Sequence, residues 1–576
     1  MANIMSLKSL RNKTSRNGFD LSSKRNFTAK PGELLPVKCW EVLPGDKWSI
    51  DLKSFTRTQP LNTAAFARMR EYYDFYFVPY NLLWNKANTV LTQMYDNPQH
   101  ATSYIPSANQ ALAGVMPNVT CKGIADYLNL VAPDVTTTNS YEKNYFGYSR
   151  SLGTAKLLEY LGYGNFYTYA TSKNNTWTKS PLSSNLQLNL YGVLAYQKIY
   201  ADHIRDSQWE KVSPSCFNVD YMSGTVDSAM TIDSMITGQG FAPFYNMFDL
   251  RYCNWQKDLF HGVLPRQQYG DTAAVNVNLS AQYMVQTPEG DPVGGSPFSS
   301  TGVSLQTVNG SGTFTVLALR QAEFLQKWKE ITQSGNKDYK DQIEKHWNVS
   351  VGEAYSEMSL YLGGTTASLD INEVVNNNIT GSNAADIAGK GVVVGNGRIS
   401  FDVGERYGLI MCIYHSLPLL DYTTDLVNPA FTKINSTDFA IPEFDRVGME
   451  SVPLVSLMNP LQSSYNVGSS ILGYAPRYIS YKTDVDSSVG AFKTTLKSWV
   501  MSYDNQSVIN QLNYQDDPNN SPGTLVNYTN FKVNPNCVDP LFAVAASNSI
   551  DTDQFLCSSF FDVKVVRNLD TDGLPY

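Results

Sequence analysis

Text able to form β-strands is confined in this chain to three stretches that lie far apart, near 33–79, 390–416 and 555–567. A strand needs lateral partners, so any sheet built here must bring both ends and the middle of the chain together. What lies between must then leave the sheet as long excursions. Glu33 to Val42 and Trp48 to Thr58 flank the turn Pro44-Gly45-Asp46. Tyr72 to Val78, closed by Pro79, is aromatic on both faces, and Leu409 to Tyr414 is apolar on both, so each predicts a buried strand. Val392-Val393-Val394 and Arg398-Ile399-Ser400-Phe401 flank Gly395-Asn396-Gly397, which predicts a hairpin. Near the end Phe561, Val563 and Val565 alternate with Asp562 and Lys564, the pattern of a half-buried strand.

The excursions differ from one another. Residues 85–185 read as loop, with Pro98, Pro106, Pro117 and Pro133, and 417–553 as loop dense in Asn, Asp, Ser and Pro. Residues 270–315 contain Pro288-Glu289-Gly290-Asp291-Pro292 and Gly294-Gly295-Ser296-Pro297, composition suited to exposed hairpins or a surface protrusion. Helical spacing of Val193, Tyr196, Ile199, Tyr200 and His203 predicts a helix at 186–205, and that of Leu319, Ala322, Leu325, Trp328 and Ile331 another at 317–333. No repeat of 20–50 residues is visible, which argues against a solenoid or propeller. The expectation is one mainly-β domain over 31–570, a β-sandwich with very long inter-strand loops and a few helices, for which the double-sheet jelly roll is a suitable architecture. At 576 residues the chain is too long for one compact core without large insertions.

Charged residues make up only 17% of the chain against 12% aromatics, with 36 Tyr, so its surface is largely uncharged and polar. Such surfaces suit extensive protein–protein contact, because interface cores are poor in charge and rich in Tyr. The net charge of −8 rules out a body that clamps nucleic acid as a whole, but the charge is uneven. Residues 1–30 carry Lys8, Arg11, Lys13, Arg16, Lys24, Arg25 and Lys30 against the single acid Asp20, and read as an extended or disordered basic arm. Its cations, Lys8, Arg11, Lys13, Arg16, Lys24 and Arg25, are the candidate nucleic-acid contacts, through sequence-independent, salt-sensitive phosphate binding. The same residues also fit a merely solvated terminus.

No constellation for chemistry emerges. Seven Cys, widely spaced and without CxxC, predict neither a disulfide framework nor a zinc site, and point to folding in a reducing cytoplasm. The opening MANIMSLKSLRNK lacks the apolar core of a secretory signal, and Gly408 to Leu420 is too short and polar to span a membrane. The five His include no metal-ligand pair, and His203 and His346 read as structural. Gly389, Gly391 and Gly395 miss dinucleotide-fingerprint spacing by one residue and lead into no helix. Asp338, Asp341 and Glu344 read as a solvated helix face, and the aromatic runs 141–148 and 160–169 as packing rather than base stacking. Catalytic, cofactor and metal residues are therefore expected to be none.

Collinear blocks across the chain nevertheless carry a resemblance. Pro31-Gly32-Glu33-Leu34-Leu35-Pro36-Val37, Thr58-Gln59-Pro60-Leu61-Asn62-Thr63-Ala64-Ala65-Phe66 and Tyr73-Asp74-Phe75-Tyr76-Phe77-Val78-Pro79 open the series. Arg205-Asp206-Ser207-Gln208-Trp209, Asp249-Leu250-Arg251-Tyr252-Cys253-Asn254-Trp255, Gly473-Tyr474-Ala475-Pro476-Arg477-Tyr478 and Phe560-Phe561-Asp562-Val563-Lys564 continue it. In this order they resemble the major capsid protein of microviruses, especially the gokushovirus-like and Bacteroidetes-associated branches. The inserts at 130–180, 270–315 and 500–530 align to no pattern. The resemblance implies an eight-stranded viral jelly roll whose sixty copies form a T=1 icosahedral shell through pentamers around circular single-stranded DNA. It also implies assembly in the bacterial cytoplasm, with no membrane insertion. The further partners it implies are a host surface receptor, minor spike or pilot proteins, scaffolding proteins and small basic DNA-binding proteins. Two other classes fit the residues alone. A β-sandwich adhesin should carry an export signal, and a jelly-roll carbohydrate-active enzyme should pair carboxylates in an aromatic cleft.

Overall fold

The computed structural model describes residues 15–62, 65–92, 115–133, 149–171, 185–222, 231–233, 236, 247–267, 283–286, 304–307, 316–375, 387–445, 448–459, 471–512, 526–542 and 553–571. Ten strands build the frame: β1 (Asn17–Asp20), β2 (Ser23–Ala29), β3 (Leu35–Val42), β4 (Lys47–Thr58), β5 (Met69–Pro79), β6 (Leu360–Ser368), β7 (Asp370–Val375), β8 (Ile387–Asp402), β9 (Gly408–Pro418) and β10 (Phe555–Arg567). In one sheet β1 and β2 both pair with β10, which is followed by β4, β8 and β7; the other runs β3–β9–β5–β6. Every pair is antiparallel. The order β2–β10–β4–β8 against β3–β9–β5–β6 is that of an eight-stranded jelly roll.

Alternation sets the faces. Trp48, Ile50 and Leu52 of β4 and Phe561, Val563 and Val565 of β10 turn inward. There they meet the second sheet: the Phe561 ring lies 5.5 Å from Trp40 and 6.4 Å from Phe75, edge-on to both. The second sheet is covered on its outer side as well. Three helices from the excursion after β5 serve this region: α1 (Cys121–Val131), α2 (Arg150–Leu161) and α3 (Tyr191–Ile199). α2 packs on β3, and α3 on β5 and β9. Tyr191 stacks on Tyr80 at 4.1 Å, and His203 lies against Tyr76 at 5.0 Å. Two covered faces explain why β5 and β9 are apolar or aromatic on both sides. The outer face of the first sheet, by contrast, is open along β4, β8 and β10.

Several expectations need correction. Gly395-Asn396-Gly397 does not turn; β8 runs straight through it, paired with β4 from Val392↔Arg57 to Asp402↔Lys47. The glycines serve close approach instead. A Cβ on Gly395 would lie 2.6 Å from Ser54 Oγ, and one on Gly397 would collide with the Thr365 hydroxyl of β6, across the sandwich. The helix expected at 186–205 begins only at Tyr191, because Gln187–Asn189 is taken up as a strand against Asn118–Thr120. The arm expected over 1–30 is part of the sheet from Asn17 onward, where hydrogen bonding to β10 outweighs its charge. The loop text of 417–553 supplies Tyr422, Leu454, Leu472, Val508 and Phe531 to a second apolar cluster with Phe260, beside the paired strands Met449–Pro453 and Ile471–Pro476.

Residues 268–356 form a compact unit of their own. Most of 270–315 lies outside the described residues; Tyr283–Gln286 pairs there with Ser304–Thr307. α4 (Val316–Gln333), the helix expected at 317–333, is followed by α5 (Tyr339–Trp347). Gln342 donates to the Thr332 carbonyl at 2.8 Å, and His346 Nε2 lies 3.0 Å from the Thr332 hydroxyl. Asp338, expected on a solvated face, is buried and accepts from Ser356 at 2.7 Å. Among the described residues no helix is long and apolar enough to cross a membrane.

Candidate nucleic-acid interface and assembly surface

The basic residues of the N-terminal segment have separate fates. Lys8, Arg11 and Lys13 lie outside the described residues. Arg16 donates to the Gly45 carbonyl at 2.5 Å. In β2, alternation turns Lys24 to solvent, while Arg25 donates to the Tyr160 carbonyl at 3.0 Å and lies over the Tyr160 ring. That carbonyl belongs to the last turn of α2, where a cation is favoured by the helix dipole. Arg25 is thus a packing residue. α2 stops there because Gly162 takes a left-handed conformation, φ 90°, and its N–H caps the carbonyls of Leu158 and Glu159.

Buried ion pairs clamp the excursions to the sandwich. Arg150 at the start of α2 holds Asp249 through both carboxylate oxygens, at 2.6 and 3.0 Å. Lys156, one helical face along, reaches Glu33 at 2.6 Å and Asp553 at 2.8 Å, joining three segments remote in sequence. Burial opposes the charge on Lys156, but the two carboxylates outweigh it and hold the ammonium above its ordinary pKa. One cation cannot balance two acids in a dry site, so burial, with Asp553 adding to it, pushes the Glu33 carboxyl up despite Lys156. In a third cluster Lys532 meets Glu210 at 3.0 Å and the Tyr200 hydroxyl at 2.6 Å. None of these partners was legible from local sequence, because each pairing spans the fold.

The arrangement closest to a catalytic one is Asp258, His261 and Tyr422. The Tyr422 hydroxyl donates to Asp258 at 2.6 Å and lies 2.8 Å from His261 Nδ1. Burial raises the Asp258 carboxyl, but the bonds from His261 and Tyr422 prevail and hold it at about 2. The adjoining cavity, about 10 Å³, admits a single water and is lined by Phe260, Leu454, Leu457, Leu472 and Val508. This is packing chemistry: the hydroxyl and ring satisfy a buried carboxylate. Among the described residues no cluster of three His, Cys, Asp or Glu is placed to hold a metal ion.

The surface carries a more telling feature, a strap at 425–445. Its backbone is fixed by local bonds. The Asn428 side chain accepts from the Ala430 N–H at 2.9 Å, and the Asp438 carboxylate from Ile434 and Asn435 at 3.0 and 2.8 Å. Lys482–Asp445 at 2.6 Å and Lys433 over the Tyr481 ring tie it to 477–482. Yet Phe431 is 82% exposed and Ile434 85%. A segment held in one shape while presenting large apolar tips to water is a surface suited to contact with another molecule.

A jelly roll that carries long clamped excursions and leaves an ordered apolar surface uncovered is an architecture that viral coat proteins use. The family comparison agrees: the model of the Capsid protein (F protein) family matches residues 8–150 and 171–576, and the chain belongs to that family. It is 23% identical over 494 residues to capsid protein VP1 of Bdellovibrio phage phiMH2K, covering 84% of this chain and 83% of the relative. It is 22% identical to capsid protein VP1 of Chlamydia phage 1, covering 97% of this chain and 95% of that one. Both relatives come from microviruses. Membership gives the chain the structural role of a major capsid protein, located in the virion shell.

Proposed function

We propose that sixty copies of this chain, grouped as pentamers, close into a T=1 icosahedral shell around a circular single-stranded DNA genome. The observation that carries this reading beyond family membership is the strap at 425–445, whose conformation is set within its own chain while Phe431 and Ile434 stay in water. Covering such tips with a neighbouring copy removes apolar surface without ordering new backbone. Closed symmetry then multiplies modest contacts into a stable particle. None of the seven cysteines is paired in a disulfide, which supports folding and assembly in the reducing cytoplasm of a bacterial host. In this reading Lys8, Arg11, Lys13 and Arg16 face inward and neutralise packaged phosphate. A host receptor, minor spike or pilot proteins, scaffolding and small basic DNA-binding proteins are its further partners.

Negative-stain microscopy with native mass measurement of the purified 64.1 kDa chain tests the reading. Isometric particles or discrete pentamers are expected, and Phe431→Asp with Ile434→Asp should give folded chain that no longer assembles. A wild-type chain that stays monomeric with or without the other phage proteins would refute it. The role of the arm is tested by deleting residues 1–14, a cut that stops short of β1 and so leaves the sheet intact. Unchanged DNA content of the particles would remove the arm from the account.

A further inference from the structure

The open face of the first sheet can be read row by row from the strand register. In one row Lys24 of β2, Phe560 of β10, Lys53 of β4 and Asn396 of β8 lie side by side. The next holds Asn26, Ser558, Phe55 and Val394, and the one beyond it Thr28, Leu556, Arg57 and Val392. Residues directly opposite in an antiparallel pair point to the same side, so these twelve side chains share one surface. Lys24, Lys53 and Arg57 are exposed, as are Phe55, Phe560, Leu556 and Val394. The Arg57 guanidinium lies 5.0 Å over the Phe55 ring.

In the opposite direction the same face changes character. The following rows contain Asp562, Asp51 and Arg398, then Asp20 and Lys564, then Lys47 and Asp402. Here charges are matched: Lys47 pairs with Asp402 at 3.2 Å and Lys564 with Asp562 at 3.9 Å. Across β2, β10, β4 and β8 the first half of the face thus has three cations and no acid, with Asp370 of β7 standing at its edge opposite Val392, on a chain whose net charge is −8. Among the described residues Lys24, Lys53 and Arg57 form no ion pair. Fixed positive charge interleaved with exposed rings, at the spacing of a sheet, is complementary to a flexible polyanion that also offers flat apolar surfaces.

We propose that this half-face is a platform for single-stranded nucleic acid, with Lys24, Lys53 and Arg57 on phosphates and Phe55 and Phe560 receiving bases. The assignment rests on the reading that the shell encloses single-stranded DNA, and it names the surface of the fold that does the holding. On the second sheet β3, β5 and β9 are covered by helices. A protein neighbour would need acids opposite these cations, whereas DNA supplies them at every residue of its backbone.

The test is fluorescence anisotropy of a labelled twenty-nucleotide oligo-dT titrated with the full-length chain over a series of salt concentrations. Lys53→Gln with Arg57→Gln should flatten the dependence of log affinity on log salt by about 0.7 for each phosphate that the protein no longer neutralises. Phe560→Ala should weaken binding about ten-fold and leave that slope alone, because stacking releases no counterions. Lys53→Arg should retain binding, and Lys211→Gln, an exposed cation elsewhere, should change nothing. If Lys53→Gln with Arg57→Gln binds with wild-type affinity and slope, the proposal is overturned. Particle formation, followed by microscopy on the same variants, reports separately on the shell reading. Variants that lose particles but keep oligonucleotide binding would show the face to be covered by another copy, which also overturns the proposal.

Discussion

Glu71 lies between the two sheets, where its carboxyl accepts from Thr56 at 2.7 Å and Ser54 at 3.3 Å and forms no ion pair among the described residues. Burial raises its pKa from an ordinary 4.5 to about 6, against the pull of those hydroxyls. Between these values the folded chain holds a proton that the unfolded chain has already released. Stability should therefore fall as pH rises through this window, by about 2 kcal/mol for this group, and change little from it above pH 7. Asp74 and Asp539, also raised to about 6 by burial, act in the same direction. Glu71→Gln should be more stable than wild type at pH 7, with the advantage shrinking toward pH 4.5; urea midpoints at the two pH values measure it. Lys156 makes the opposite case. Replacing it with Met leaves Glu33 and Asp553 buried without their cation, and should cost about 3–5 kcal/mol in a urea titration at pH 7.

The element that most rewards inspection is β8. Gly397 faces inward where β6 and β8 approach, so Gly397→Val should drive a side chain into Thr365 and cost about 1–3 kcal/mol. Asn396→Val, on the open face, should be tolerated or slightly stabilising. A hairpin at this position would give the reverse ranking, and thermal midpoints of the two variants decide. The sequence misleads here because Asn-Gly carries the local signature of a turn, whereas the need for two small residues arises from Ser54 and Thr365, which only the folded sheets bring alongside. β4, β5, β9 and β10 were legible because each is long and alternates or is apolar throughout. β6, Leu-Tyr-Leu-Gly-Gly-Thr-Thr-Ala-Ser, was not, being too rich in small residues to resemble a core strand. For the candidate site the segmental charge pointed to residues 1–30, and Lys24 does lie on the open face. Lys53 and Arg57 went unnoticed because only register reveals that they stand beside it.

At the scale of the molecule the defining pairing is between the two ends of the chain. β10 sits between β2 and β4, hydrogen-bonded to residues 23–29 on one side and 47–58 on the other. A chain ending at residue 554 lacks that strand and should not yield soluble folded protein, and supplying residues 553–576 as a separate peptide should restore some; soluble yield and circular dichroism measure both. The same geometry fixes an order of events during synthesis. Until β10 leaves the ribosome, the slot between β2 and β4 stands empty, and neither half of the open face has its central column. An incomplete product of translation therefore lacks the middle of the sheet, and with it the surface that a shell or a genome would meet. Placing the last of these ten strands at the centre of the sheet means that a chain halted before β10 carries no finished face, so synthesis itself would sort complete sandwiches from incomplete ones.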